Sequence, residues 1–211
     1  MKLPLLNLDG SKSETIEVSD KLVKQKVNYK LIKSVIDWQL NHAKPRTAKT
    51  KQRNQIKGST KKIIAQKGSG GARHASKKAP IFVGGGVAHG PKGAVYKIKK
   101  INKKVKKLAL LHTLSKKTFD KRLYILADVK KEIKKTKEFN KFLQQNKFID
   151  VLIISDVNSL KNIFRSAKNI KNVKLINDEG TNVYDIFRYK NIIITSSSVK
   201  KIENRILNEK N

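Results

Sequence analysis

The sequence predicts an α/β protein: a mostly parallel sheet flanked by helices, with a long irregular basic extension inserted after the first long helix. One observation behind this prediction is the alternation of apolar runs and amphipathic segments from residue 123 onward. A second is the stretch Trp38–Phe119, whose 82 residues include no Asp or Glu and nine of the 11 Gly. With 211 residues, 38% of them hydrophobic, the chain has room for one core outside that stretch.

The first 43 residues supply two short strands and the first long helix. The strands are predicted at Lys2–Leu8 and Thr15–Val18. Tyr29–Asn41 is predicted to be a helix because its apolar residues recur in pairs every four residues. Pro45 lies just beyond this segment and fits its end, since proline cannot continue a helix.

A second long helix is predicted at Lys99–Lys117. At a step of about 100 degrees per residue, its apolar face comprises Ile101, Val105, Leu108 and His112. The opposite face carries six lysines: Lys99, Lys100, Lys103, Lys104, Lys106 and Lys107. The last turns, ALLHTL, are apolar all round and should be buried. A lysine face can be simply solvated, but its position beside the basic stretch favours a binding role.

The rest of the chain alternates strand and helix. The predicted strands are Leu123–Ala127, Val151–Ser155, Val173–Ile176 and Asn191–Thr195, and the predicted helices are Lys137–Asn146, Ser159–Lys168, Tyr184–Arg188 and Val199–Asn208. Continuous apolar runs such as VLIIS are typical of strands covered on both faces. Strands that alternate with helices at this spacing predict a mostly parallel sheet.

Several classes of protein are excluded or disfavoured by composition. The absence of Cys excludes disulfides, thiol catalysis, Cys-based zinc sites and iron–sulfur clusters. No apolar run approaches the roughly 18–20 residues that a membrane span needs, and the opening MKLPLLNLDG is too short for a signal peptide. The four His are scattered without metal-ligand spacing, so neither a metal site nor a cofactor is expected.

The charge predicts a polyanionic partner. Lys and Arg number 49 against 16 Asp and Glu, a formal net charge of +33, and 22 of the basic residues fall in the acid-free stretch. Because large apolar residues are scarce there, the segment cannot bury enough surface to hold its own fold. It is either a disordered basic insert with loose affinity for polyanions, or an ordered extension that folds inside a nucleic acid.

The motifs that would support an enzyme are incomplete. Gly68–Arg73 and the spacing of Gly85 and Gly90 resemble phosphate loops superficially but lack the residues those loops require. Ser197–Lys200 fits the SxxK pattern without its partner motifs, and Ser198 is expected to cap a helix instead. The carboxylates that follow strands, Asp128, Asp156 and Asp178, are ordinary turn residues unless a nucleophile or cofactor accompanies them.

Phosphate binding is the chemistry that the basic stretch can perform. Lys supplies point charges, Arg can fork onto phosphates, and Gly lets the main chain approach a sugar–phosphate backbone. Between residues 44 and 97 the aromatic residues are Phe82 and Tyr96 alone, too few for a stacking platform along a single strand. The pattern therefore favours a protein that threads folded RNA and reads its shape.

The stretch 46–93 carries a long and specific pattern. Read in KTKQRNQIKGSTKKIIAQKGSGGARHASKKAPIFVGGGVAHGPKGAVY, its positions are Lys51, Arg53, Gly58, Lys62, Gln66, Lys67, Gly68, Gly70, Ala72, Arg73, Pro80, Gly84, Gly85, Gly86, Gly90 and Pro91. With this pattern the stretch resembles the extension of the large-subunit ribosomal protein L-four family, bacterial type. NKKVKKLALLHTLSKK resembles the helix that follows, and the α/β order agrees over essentially the whole chain. Ile63, Ile64 and Ala65 stand where the family usually has Pro, Trp and a basic residue, Gly71 stands where a basic residue is common, and Gly93 where Pro is usual.

The resemblance implies a structural constituent of the large ribosomal subunit, located on cytoplasmic ribosomes, and not an enzyme. Residues 1–43 and 98–211 would form the globular α/β domain, and residues 44–97 the extended basic loop, named here the basic extension. This loop would thread large-subunit rRNA, contribute to the wall of the polypeptide exit tunnel and support subunit assembly. The implied partners are large-subunit rRNA and neighbouring ribosomal proteins, including ribosomal protein L-twenty-two; some bacterial members also bind their own messenger leader.

The residues expected to bind rRNA combine the basic and glycine positions of the extension with the lysine face. They are Lys44, Arg46, Lys49, Lys51, Arg53, Lys57, Gly58, Lys61, Lys62, Gln66, Lys67, Gly68, Gly70, Arg73, Lys77, Lys78, Gly84, Gly85, Gly86, Gly90, Lys92, Lys97, Lys99, Lys100, Lys103, Lys104 and Lys107. The candidates for the tunnel tip are Lys61, Lys62, Ile63, Ile64 and Ala65. Two alternatives remain at this point: a phosphate-handling α/β enzyme with a basic lid, and a DNA-coating architectural protein.

Overall fold

A computed structural model describes residues 1–8, 12–93, 100–129 and 131–207 of the chain. The chain divides into two compact units, one formed by Met1–Leu40 with Lys100–Asn211 and the other by Asn41–Lys99. The first, named here the α/β unit, contains the sheet and its helices. The second contains the basic extension.

The α/β unit is built on a six-stranded sheet in the order β2-β1-β3-β6-β4-β5. The strands are β1 (Lys2–Leu6), β2 (Lys12–Glu17), β3 (Leu123–Leu126), β4 (Val151–Ser155), β5 (Val173–Asn177) and β6 (Asn191–Thr195). β1 and β2 pair antiparallel, and the other four pairings are parallel. The predicted fold class, a mostly parallel sheet flanked by helices, is confirmed.

Seven α-helices accompany the sheet in the described part of the chain. They are α1 (Asp20–Val23), α2 (Tyr29–Ala43), α3 (Lys103–Phe119), α4 (Thr136–Gln145), α5 (Val157–Ala167), α6 (Val183–Arg188) and α7 (Ser196–Leu207). A short 3-10 helix, Asp178–Gly180, follows β5. None of the described helices is long and apolar enough to cross a membrane.

Two hydrophobic clusters lie on opposite faces of the sheet, and alternate residues of the central strands enter them in turn. In β4, Leu152 and Ile154 join the cluster that includes residues of α1, α2, α3, α6 and α7. Val151 and Ile153 join the cluster with α4 and α5. β4 is buried over its whole length. The unbroken apolar runs of β4 and β6 follow from this double coverage.

Some helix starts were predicted at the wrong residue. α3 begins at Lys103 with Asn102 as its N-cap residue, four residues after the predicted start. Leu108, predicted on the buried face, is 40% exposed, whereas the turns from Ala109 to Leu114 are largely buried as predicted. Periodicity counted from Ile101 placed the apolar stripe too early, since the packed face is centred on the later turns.

α7 also begins earlier than predicted. Its first residue is Ser196, so Ser198 lies inside the first turn and does not cap the helix. The buried Ser198 hydroxyl instead pairs with the hydroxyl of Thr195 at 2.8 Å. The four-residue helix α1 and the 3-10 helix were not predicted, because segments this short carry too little periodicity.

Candidate nucleic-acid interface

The lysines of α3 separate into exposed and packed groups. Lys103 and Lys104 in the first turn are exposed, as is Lys100 just before the helix. Lys106 is half-buried and its Nζ lies 3.7 Å from the ring centroid of Trp38, a cation–π contact. Lys107 is half-buried and lines the same hollow as Trp38 and Lys106. The exposed lysines are therefore the ones available for phosphate.

Lys117 has a structural position that its sequence did not reveal. It is buried in the α/β unit, and its Nζ donates to the backbone carbonyl oxygens of Phe187, Tyr189 and Lys190 around the C-terminal end of α6. A cation there complements the negative end of the helix dipole. Burial, and next the charge of Arg122, lowers the pKa of Lys117 from its usual 10.5 to about 8.

The basic extension runs out and back as an irregular hairpin over its described residues. We name residues 46–63 the outgoing limb, residues 64–74 the tip and residues 75–93 the returning limb. The limbs meet at a bridge between Lys49 and Lys92. Further along, the backbone N–H of Val87 donates to the carbonyl of Lys51 at 2.9 Å. Nearest the tip, the N–H of Ile63 donates to the carbonyl of Ala75, also at 2.9 Å.

The returning limb begins with three successive turns. The N–H of Ala79 donates to the carbonyl of Ser76, that of Phe82 to Ala79, and that of Gly85 to Phe82, at 2.9–3.1 Å. The ring of Phe82 packs edge-on against His74, with 5.0 Å between ring centroids. These turns satisfy backbone polar groups locally, in a segment without regular secondary structure.

Two glycines of the returning limb lie directly against the outgoing limb. A Cβ on Gly86 would lie 2.2 Å from the backbone nitrogen of Arg53. A Cβ on Gly90 would lie 2.0 Å from the side-chain oxygen of Thr50. Only glycine permits so close an approach. The rRNA contacts predicted for these glycines stay a prediction, and the structure assigns them a role in joining the limbs.

A second set of glycines faces open space. Gly68, Gly70 and Gly84 have φ of +83°, +65° and +80°, and a Cβ on any of them would meet nothing within 4 Å. Glycine is favoured there by the left-handed backbone and not by crowding. Gly68 and Gly70 lie in the tip, so the main chain there is open to an approaching partner.

The cationic side chains of the described extension are almost all exposed. Twelve of the thirteen are exposed: Lys44, Arg46, Lys49, Lys51, Arg53, Lys57, Lys61, Lys62, Lys67, Arg73, Lys77 and Lys92; Lys78 is half-buried. The acid-free sequence supplies no carboxylate nearby in the chain, and residues 44–93 form no ion pair with another described residue. Lys97 and Lys99, also predicted to bind rRNA, lie outside the described residues.

No apolar core forms within residues 41–93. Val83 is fully exposed, Ile81 is largely exposed, and Ile63 and Val87 are nearly half exposed. The residues of both hydrophobic clusters belong to the α/β unit. The tip candidates Lys61–Ala65 span the end of the outgoing limb and the start of the tip. Lys62 Nζ donates to Gln66 Oε1 at 2.7 Å, which links two predicted rRNA-binding residues across one turn.

Two of the three carboxylates that suggested an enzyme, Asp128 and Asp178, have side-chain partners in the α/β unit. Asp128 accepts hydrogen bonds from the backbone N–H and the hydroxyl of Ser197, at 3.1 and 2.9 Å, and so caps the start of α7. Asp178 is buried and pairs with Lys201 at 3.1 Å. Asp156 is the N-cap residue of α5. Among the described residues no three metal-ligating side chains are grouped.

The described structure thus combines a folded α/β unit with a cationic hairpin whose described residues form no apolar core. Comparison with known sequences identifies the class of protein. A sequence model of the Ribosomal protein L4/L1 family matches residues 16–205. The chain belongs to that family, which consists of structural ribosomal proteins, and the predicted resemblance is confirmed.

The similarity to individual relatives extends over nearly the whole chain. A protein named large ribosomal subunit protein uL4 from Pelagibacter ubique (strain HTCC1062) is 48% identical over 206 residues, 97% of this chain and 99% of the relative. Its namesake from Hyphomonas neptunium is 35% identical over 206 residues, 97% and 96% of the two chains. The one from Thermotoga petrophila is 37% identical over an alignment of 227 residue positions, gaps included, which covers 99% of this chain and 96% of the relative.

Proposed function

We propose that this protein is a constituent of the large ribosomal subunit whose basic extension binds large-subunit rRNA, contributes to the wall of the polypeptide exit tunnel and supports subunit assembly. The observation that carries the proposal is the exposed, acid-free set of cations on a hairpin without a core. In water such a segment gains little from folding, whereas phosphate neutralisation with release of counterions strongly favours its binding to RNA.

Two sets of glycines in the hairpin support this function. The absence of a side chain at Gly86 and Gly90 allows the two limbs to lie against each other, which gives the cations a defined arrangement along both limbs. The open glycines of the tip, Gly68 and Gly70, leave the main chain unobstructed for close approach of a sugar–phosphate backbone. Shape recognition of folded RNA requires both features, a fixed framework and accessible donors.

The end of the hairpin carries apolar side chains between cations. Ile63 is exposed and Ile64 is half-buried, between Lys61 and Lys62 on one side and Lys67 on the other. We place Lys61–Ala65 at the tunnel, with Lys61 and Lys62 also on rRNA phosphates together with Lys67. The neighbouring partners proposed for this region are large-subunit proteins, including ribosomal protein L-twenty-two, and the same cationic surface is proposed to bind the messenger leader of this protein.

The test compares binding of the full chain to large-subunit rRNA and to duplex DNA over a range of salt concentrations. The proposal predicts tighter binding to the rRNA and a steep salt dependence. Replacing Lys61, Lys62 and Lys67 by Gln should weaken rRNA binding and reduce the salt slope by about 1 for each lysine that neutralises a phosphate in the wild type.

The matched control replaces three exposed lysines of the α/β unit, Lys134, Lys137 and Lys141, by Gln. This variant has the same net charge as the Lys61, Lys62 and Lys67 variant and should bind rRNA nearly as the wild type does. Equal weakening in the two variants would indicate a polyanion binder without a defined site. Equal affinity for duplex DNA and rRNA would favour the DNA-coating alternative.

A further inference from the structure

An open apolar groove of about 520 Å³ lies on the α/β unit, between α2 and α6. Tyr29, Ile32, Lys33 and Ile36 of α2 form one wall, and Tyr184, Phe187 and Arg188 of α6 form the other. Its volume is in the range of sites that bind small organic groups. None of these residues belongs to the basic extension or to the lysine face of α3.

The aromatic side chains of the groove are unusually accessible. Tyr29 is 55% exposed and Phe187 is 44% exposed, while Ile32 on the floor is buried. Lys116 Nζ lies 5.8 Å from the centroid of the Tyr29 ring and also pairs with Asp120 Oδ1 at 3.0 Å. Exposed aromatic faces beside cations form the surface on which unpaired bases stack.

The walls of the groove are fixed in place. The backbone N–H of Tyr184 donates to Oε1 of Gln39 at 2.9 Å, which ties the start of α6 to α2. At the other end of α6, Lys117 Nζ donates to the carbonyls of Phe187 and Tyr189. A site whose walls are already held in position loses little ordering entropy when a ligand binds.

The charge at the groove selects the kind of occupant. Lys33 and Arg188 lie at its edge, and among the described residues that line it none is acidic. The nearest carboxylate of α2 along the chain, Asp37, is not among the lining residues, and Asp185 of α6 is paired with Lys174 at 2.7 Å. An apolar aromatic slot bordered by cations matches a nucleotide, whose base is flat and apolar on its faces and whose phosphate is anionic.

We propose that this groove binds an unstacked nucleotide of RNA, with the base against Phe187 and Tyr29 and the phosphate beside Lys33 and Arg188. The α/β unit thereby gains a second RNA site, and the stacking platform that the basic extension lacks is supplied from the folded part of the chain. The inference rests on the proposed ribosomal function for the source of the RNA.

The first test titrates the full chain with a single-stranded RNA oligonucleotide that carries 2-aminopurine, whose fluorescence is quenched by stacking. Phe187→Ala should weaken binding about five- to 160-fold, the loss that corresponds to one stacked base, and should relieve the quenching. Phe187→Leu should have a similar effect, because leucine offers no flat face.

The control is Phe164→Ala, in α5 and outside the groove. Phe164 is also 44% exposed and also has a lysine near its ring, with Lys168 Nζ 5.2 Å from the centroid. This variant should bind and quench like the wild type. Equal behaviour of the Phe187 and Phe164 variants would overturn the proposal. Full retention of binding and quenching by Phe187→Leu would also overturn it, because it would show that the base does not stack on the Phe187 ring.

The second test uses assembled large subunits, irradiated with ultraviolet light and digested for mass spectrometry of nucleotide–peptide adducts. Adducts on Tyr29, Tyr184 or Phe187 are expected. If adducts form on the basic extension while the groove peptides are unmodified or joined to another protein, the nucleotide site is wrong and the proposed function stands. If the chain is absent from the subunits, the proposed function itself is wrong.

Discussion

Gly86 is a position at which a single added carbon should force the two limbs of the basic extension apart. Its Cβ would lie 2.2 Å from the backbone nitrogen of Arg53, so the two limbs would have to separate. At Gly71 the nearest atom to an added Cβ is 4.0 Å away, which is ordinary contact. Because backbone atoms cannot move aside as a flexible side chain can, the backbone of the hairpin itself would have to distort.

We predict that Gly86→Ala lowers incorporation into large subunits severalfold, while Gly71→Ala is incorporated normally. The measurement is competition between a tagged variant and the untagged wild type in the same cells, read from the ratio of the two proteins in purified subunits. Equal ratios for the two variants would mean that limb contact at Gly86 has no role in assembly.

Lys117 gives a prediction about pH. Its pKa of about 8 in the folded protein lies below 10.5, the usual value for lysine, so between these values the unfolded chain binds a proton that the folded chain does not. Stability rises with pH wherever the unfolded state binds more protons. The stability advantage of the wild type over Lys117→Met should therefore grow as the pH rises from about 8 towards 10.5.

The measurement is denaturant unfolding of both proteins at a series of pH values, with the difference between them compared so that other lysines and tyrosines cancel. At neutral pH the variant should already be less stable by about 1 kcal/mol, because carbonyls at the end of α6 lose their donor. A difference that shrinks with increasing pH would contradict the assigned environment of Lys117.

At the scale of the element, α3 combines two functions that differ by residue. Lys103 and Lys104 face solvent, whereas Lys106 stacks on Trp38. Replacing Lys103 and Lys104 by Gln should leave stability unchanged and reduce the salt slope of rRNA binding by about 2, one for each neutralised phosphate. The salt titration of the full chain measures this reduction.

Lys106→Gln should lower the free energy of unfolding by about 0.5–1 kcal/mol, because the cation–π contact with Trp38 is lost. Because the chain has one Trp, its fluorescence reports this contact directly. An unchanged Trp38 spectrum together with unchanged stability would show that the contact is not formed in solution. A salt slope reduced by about 1 for this variant, half the reduction expected for the double replacement of Lys103 and Lys104, would place Lys106 on the RNA instead.

The basic extension as an element should be dispensable for folding of the α/β unit. Deletion of Gly58–Gly90 removes no residue of either hydrophobic cluster. We predict that the shortened chain retains its helical circular dichroism and unfolds cooperatively, and that it no longer binds rRNA tightly. Loss of the cooperative transition would show that the extension is part of the folding unit.

At the scale of the whole molecule, the sequence was sufficient for the sheet and for the location of the charge. β4 and β6 were placed without error because their continuous apolar runs report burial on both faces. The start of α3 was misplaced because lysines and Asn102 before it are compatible with either helix or loop. The basic segment was visible because charge and glycine content require no knowledge of contacts.

Long-range contacts could not be predicted from the sequence. Gly86 meets Arg53, and Trp38 meets Lys106, over separations that no local pattern records. The groove likewise joins Tyr29 to Phe187, from helices at opposite ends of the chain. Its aromatic residues read individually as ordinary amphipathic positions, and only the packing of α6 on α2 brings them to one surface.

The most direct test of the central claim is crosslinking in living cells, with sequencing of the bound nucleic acid and mapping of the crosslinked residues. We predict recovery of large-subunit rRNA, with crosslinks concentrated in the segment 44–107. Recovery of DNA or of mixed RNA, with crosslinks scattered over lysines of the whole chain, would contradict the claim that the basic extension is a specific rRNA-binding element.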